Sequence, residues 1–121
     1  MRISEVPPHA WSDTLDAFTA AHEGWLVSIA TFGGADEEPR TEIANLPLIG
    51  ISADRIDHGD IAISVARSPA QHVTHVIEHA AHVYLQPGHN GSTASLMIES
   101  DEGTRTILRV RAAAAASRGA A

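Results

Sequence analysis

Four histidines, His72, His75, His79 and His82, are spaced three, four and three residues apart. On a helix this spacing gathers the side chains on one stripe, because residues three and four apart are surface neighbours. On a strand it scatters them over both faces. A stripe of neutral imidazoles has a definite chemistry: it binds Zn2+, Ni2+ or Cu2+. Within it, His75-Val76-Ile77-Glu78-His79 matches H-x-x-E-H, the inverted zinc-peptidase pattern, in which two histidines share a metal and the glutamate acts as base. A third protein ligand must then come from elsewhere, and Glu99 and Glu102 are the only later glutamates. Against this reading, such peptidases need a substrate chamber that 121 residues do not supply. A five-residue match also arises easily by chance in a chain with eight histidines. Structural zinc, in turn, wants four convergent ligands. The metal candidates are therefore His72, His75 and His79, with zinc or another divalent transition metal as the alternative to no cofactor at all. A minor metal-dependent hydrolase using His75, Glu78 and His79 is the catalytic alternative. The plainer reading is a solvated face whose imidazoles make local hydrogen bonds.

Other chemistries are excluded by residue type. The chain has no cysteine, so thiolate metal sites, disulfides and thiol nucleophiles are out. It has no lysine, so Schiff-base chemistry and a phosphate-loop lysine are out as well. No G-x-S-x-G elbow occurs, since Gly50-Ile51-Ser52 lacks the second glycine. Asp54, Asp57 and Asp60 recur every third residue, the wrong spacing for a calcium loop, and read as turn residues. Gly88-His89-Asn90-Gly91 likewise reads as a turn.

The net charge of −7 disfavours nucleic acid, and Arg105, Arg109 and Arg111 read as a sheet face rather than a basic footprint. No run is long enough to cross a membrane, and residues 1–8 lack the apolar stretch of a leader, so a cytoplasmic location is expected. The length suits one domain over residues 1–111, followed by a low-complexity, Ala-rich tail over 112–121.

The elements that must position the histidines follow from periodicity. Trp11, Leu15, Phe18 and His22 recur at helical spacing behind Ser12 as N-cap, and Gly24 supplies a stop, which predicts a helix over about 12–23. Strands are predicted over Trp25–Phe32, Arg40–Leu46, Ile61–Ala66 and His82–Gln86, the last of which takes His82 out of the stripe. Ser68-Pro69 looks like a hydroxyl cap followed by proline at the first helical position, and Val73, Val76, Ile77 and Ala80 follow at helical spacing. That predicts a second short helix over about 69–79, although Val73, Thr74, Val76 and Ile77 are β-branched and favour a strand. Near the end, Asp101-Glu102-Gly103 joins two apolar runs as a hairpin. Its register pairs Leu96 with Leu108 and Ile98 with Thr106 on a core face. Glu99 then meets Arg105, and Met97 meets Ile107, on an outer face. The expected architecture is α+β: a single domain with an antiparallel sheet of five to six strands and two helices.

From Trp11 to Arg111 the order of segments resembles a family of small, uncharacterised bacterial proteins, a domain of unknown function. The resemblance rests on Leu46-Pro47-Leu48-Ile49-Gly50-Ile51-Ser52, on His72-Val73-Thr74-His75-Val76-Ile77-Glu78-His79, on Val83-Tyr84-Leu85 and on the hairpin Ile98 to Thr104. It implies no catalytic residues. The expected function is a small non-catalytic binding or protein-interaction module. Self-association is expected too, because a small sheet leaves edges to cover, with the Met97/Ile107 pair as one contact. The helical stripe carries a further expectation: protonation would set like charges side by side and lower stability in mild acid.

Overall fold

Neighbouring residues in the strands alternate between buried and exposed, and this period of two governs nearly the whole chain. The computed structural model describes residues 3–33, 36–53, 59–87 and 93–112. Strand β1 (Ser4–Val6) and a 3-10 turn (Pro8–Ala10) precede helix α1 (Trp11–His22). Then come β2 (Leu26–Gly33), β3 (Asp36–Ala53), β4 (Ile61–Ser68), β5 (Gln71–Ile77), β6 (Ala80–Pro87), β7 (Thr93–Ser100) and β8 (Arg105–Arg111). All eight strands join one sheet in the order β1-β6-β7-β8-β2-β3-β4-β5, and every neighbouring pair is antiparallel.

This order forces the sheet to curl. Laid flat, β5 and β6 would lie six interstrand spacings apart, about 29 Å. Yet only Glu78 and His79 separate Ile77 from Ala80, a link that spans at most about 11 Å. The sheet therefore bends back on itself around one core. Into that core point Val27 and Ile29 of β2, Ile61, Ile63 and Val65 of β4, Leu96 and Ile98 of β7, and Leu108 and Val110 of β8. Strand β3 makes the bend possible by changing partners. Its first part pairs with β2 as far as Pro47, and from Leu48 it pairs with β4.

Helix α1 closes one side of the core with Trp11, Leu15 and Phe18. It is pinned at both ends. The Trp11 indole N–H donates to the Val6 carbonyl at 2.9 Å, and the Thr19 hydroxyl oxygen accepts from the Ile51 N–H at 3.0 Å. Gly24, at φ 85°, turns the chain out of the helix as the sequence implies.

The expected five to six strands and two helices are corrected, among the described residues, to eight strands and one α-helix. Residues 71–77, placed in a second helix by the sequence reading, form β5. Pro69 sits not at a helix start but in the two-residue turn between Ser68 and Gln71. Its fixed φ serves either role, so the partner decides. Ile61, Ile63 and Val65 of β4 lie directly opposite Ile77, His75 and Val73, and the β-branched side chains pack along that ladder. The expected strand 40–46 is part of a longer one, β3. The hairpin register is as the sequence predicts, pair for pair. Among the described residues, no helix is long and apolar enough to cross a membrane.

Leu15 is fully buried, whereas Val76 is 51% exposed. Leu15→Ala should cost about 2–5 kcal/mol through lost contact and a residual cavity. Val76→Ala should stay within about 0.5 kcal/mol. Urea unfolding of the two variants checks both values.

Candidate functional site

The histidine stripe does not form, because the segment is not a helix: His72 and His75 are on β5, His79 is in the link that follows and His82 is on β6. His72 and His75 lie three positions apart on β5 and so face opposite sides of the sheet. His75 shares the inner-facing row with Val73 and Ile77, opposite Ile63 of β4, and is half-buried. His72 is exposed, opposite Ala66. His79 sits beyond the strand in the link to β6, at φ 57°, and His82 is on the outer face of β6. The acid destabilisation expected from adjacent protonated histidines loses its geometric basis.

His79 does acquire acidic neighbours. Three chain segments meet at this corner. The Ala80 N–H donates to the Gly59 carbonyl at 2.6 Å, and the Asp101 N–H donates to the His79 carbonyl at 2.9 Å. The His79 N–H donates to the Asp60 carboxylate at 3.3 Å. Gly59 is required here, since its φ is 105° and a Cβ would stand 3.0 Å from the Ala80 carbonyl oxygen. The hairpin loop thereby brings Asp101 and Glu102 beside His79, with one ligand atom from each within 4.8 Å of the others. All three side chains are exposed. One imidazole and two carboxylates make three donors, short of the four convergent ligands of structural zinc. Glu102 was named in the sequence as a possible partner for this histidine. Asp101 was not, because its approach depends on the sheet closing. Asp54, Asp57 and the Gly88–Gly91 turn lie outside the described residues, as does the tail from residue 113.

A second organised surface lies elsewhere, on the outer face of β6, β7, β8 and β2. Register places Tyr84 opposite Met97, Met97 opposite Ile107, and Ile107 opposite Ala30. These four half-buried residues form an apolar row across four strands. A row of His82, Glu99, Arg105 and Phe32 borders it on one side, and a polar row of Gln86, Ser95, Arg109 and Ser28 on the other. Ile107 stands between two shallow grooves. One, of about 170 Å³, is lined by Ala30, Phe32 and Thr41; the other, of about 120 Å³, by Ile3, Tyr84 and Met97. The sequence shows the Met97/Ile107 pair because one hairpin makes it. Tyr84 joins through the pairing of β6 with β7, consecutive strands whose register no short turn fixes, and Ala30 through the pairing of β2 with β8, strands distant in sequence.

Charge at the edge of this face is ordered around β1. Glu5 accepts a hydrogen bond from the His82 Nδ1, 2.7 Å away, and so ties β1 to β6. That hydrogen bond raises the His82 pKa above 6.5, against a smaller desolvation effect, and the charges of Glu5 and Glu99 add to it. Tyr84, whose ring stacks near that of His82 at 6.1 Å, is also held above its ordinary value, first by desolvation and then by the same two carboxylates.

The chain belongs to a family of unknown function, DUF5335, which it matches over residues 3–118. No curated protein and no solved structure matches it.

His82 binds its proton more tightly in the folded state than in the unfolded chain. The stabilisation this gives is full below the unfolded value of about 6.5 and is lost as pH rises through the raised folded value. In an NMR titration the His82 ring should therefore show a midpoint above 6.5, and Glu5→Gln should bring it down. A His82 midpoint unchanged by Glu5→Gln would show that the pair does not form.

Proposed function

We propose that this member of the family is a non-catalytic binding module that works by protein–protein contact through the outer face of β6, β7, β8 and β2. One observation carries the reading: the apolar row Tyr84-Met97-Ile107-Ala30, set between two rows of mostly polar side chains on a face that α1 does not cover among the described residues. A solvated sheet face ordinarily alternates polar side chains outward. A continuous apolar row across four strands departs from that pattern. Its anatomy, an aromatic and a methionine at the centre with charged and amide side chains around them, is that of a contact surface. The grooves on either side of Ile107 give a partner's side chains places to lodge.

A photoreactive amino acid placed at Met97 tests this in living cells, with the same amino acid at Asp13, exposed on α1, as the control. The expected outcome is a defined cross-linked product from position 97 and none from position 13. Equal or absent cross-linking at the two positions would remove the outer face as the working surface.

A further inference from the structure

We propose that the occupant of this face is a second copy of the chain, related by a two-fold axis that runs along the strands between β7 and β8. The inference rests on the reading of the outer face as the contact surface, and adds the partner and its geometry.

The charge pattern selects both the occupant and the axis. Glu99 on β7 and Arg105 on β8 are cross-strand neighbours at the same level of the sheet. Two copies packed face to face are related by an axis lying in the plane between them. If that axis runs along the strands midway between β7 and β8, each strand of one copy lies over the other strand of its partner. Glu99 then meets Arg105, and Arg105 meets Glu99, in one symmetric contact. Moving the axis onto β7 sets Glu99 against Glu99. Moving it onto β8 sets Arg105 against Arg105 and Arg109 against Arg109. Turning it across the strands, along the apolar row, lays Arg105 over Arg109. Each of these alternatives places like charges together, which opposes association. Of these axes, only the midway one sets Glu99 against Arg105.

The same axis satisfies shape. Met97 falls on Ile107 at the centre. One strand further out, Tyr84 on β6 falls on Ala30 on β2. Ala30 lines the groove of about 170 Å³ beside Ile107, so the largest side chain of the row lands where the smallest leaves space. Two such insertions, one from each copy, flank the Met97–Ile107 centre. Acid against base and large against small arise from one operation, which is the self-complementarity that a two-fold contact requires.

Sedimentation of the full chain tests the proposal with Glu99→Arg, Arg105→Glu and their equimolar mixture. Wild type should be dimeric at tens of micromolar, about the range in which modest symmetric interfaces assemble. Each single variant replaces two ion pairs by two like-charge contacts and should weaken the dimer about tenfold or more. Mixing them should restore dimers. The arginine introduced at position 99 of one copy then faces the glutamate introduced at position 105 of the other, while the unaltered Arg105 of the first faces the unaltered Glu99 of the second. Within either variant chain the neighbouring like charges persist, so this rescue reports only the contact between copies. Ala30→Gln fills the groove without altering charge and should also weaken the dimer about tenfold; it keeps the test decisive where a charge variant fails to fold. Wild type that stays monomeric at high micromolar concentration, variants that dimerise unchanged, or a mixture that stays monomeric would overturn the proposal. A monomeric wild type that still cross-links from position 97 to a different protein would remove the second copy as occupant and leave the outer face as the contact surface.

Discussion

The link of two residues between β5 and β6 constrains everything else in this structure. Glu78 and His79 must carry the chain from one end of the sheet order to a strand at the other end. A flat sheet cannot allow that, so the sheet curls and its two ends share a core. His79 adopts a left-handed backbone to make the corner, and backbone hydrogen bonds from Asp101 and Ala80 brace it. Curling gives every strand an inside, filled by Ile, Val and Leu, and an outside. Helix α1 covers part of the structure through β3, where Thr19 grips Ile51. Among the described residues, α1 does not pack over the outer face of β6, β7, β8 and β2, where the half-buried apolar row lies.

The local parts of this arrangement are legible in the sequence, and the long-range parts are not. Helix α1 is legible because Trp11, Leu15 and Phe18 recur at one period and Gly24 stops them. The β7–β8 hairpin is legible because Asp101-Glu102-Gly103 fixes its register, which in turn fixes the face of each residue. The segment around His72 is misread because Pro69 fits a helix start and a turn equally well, and because four histidines share a helical spacing by coincidence. Its period-two alternation of Val73, His75 and Ile77 becomes decisive only with β4 alongside to pair with. Strand β3 runs past the expected end at Leu46 because Pro47, a residue that ordinarily ends a strand or marks an edge, here marks the change of partner from β2 to β4.

The candidate site follows the same division. Met97 and Ile107 can be paired from the sequence alone, through one turn. Tyr84 comes from β6, the strand before β7, but Ala30 comes from β2, whose pairing with β8 is long-range, so the full row exists only in the folded sheet. The cluster of His79, Asp101 and Glu102 likewise depends on closure, since the hairpin loop reaches the corner only after the sheet has bent. What the sequence offered as a metal stripe is resolved into three separate environments: an outer position at His72, an inner one at His75 and a corner at His79. In the proposed dimer, the charge and shape of the outer row are met by one symmetric arrangement.

The most direct test of that arrangement is an isotope-filtered NMR experiment on a mixture of labelled and unlabelled chains, which detects only contacts between copies. The account predicts intermolecular cross-peaks from the Met97 methyl to the Ile107 methyls and from the Tyr84 ring to the Ala30 methyl. Intermolecular cross-peaks confined to other surfaces, or none at concentrations where the chain sediments as a dimer, would contradict it.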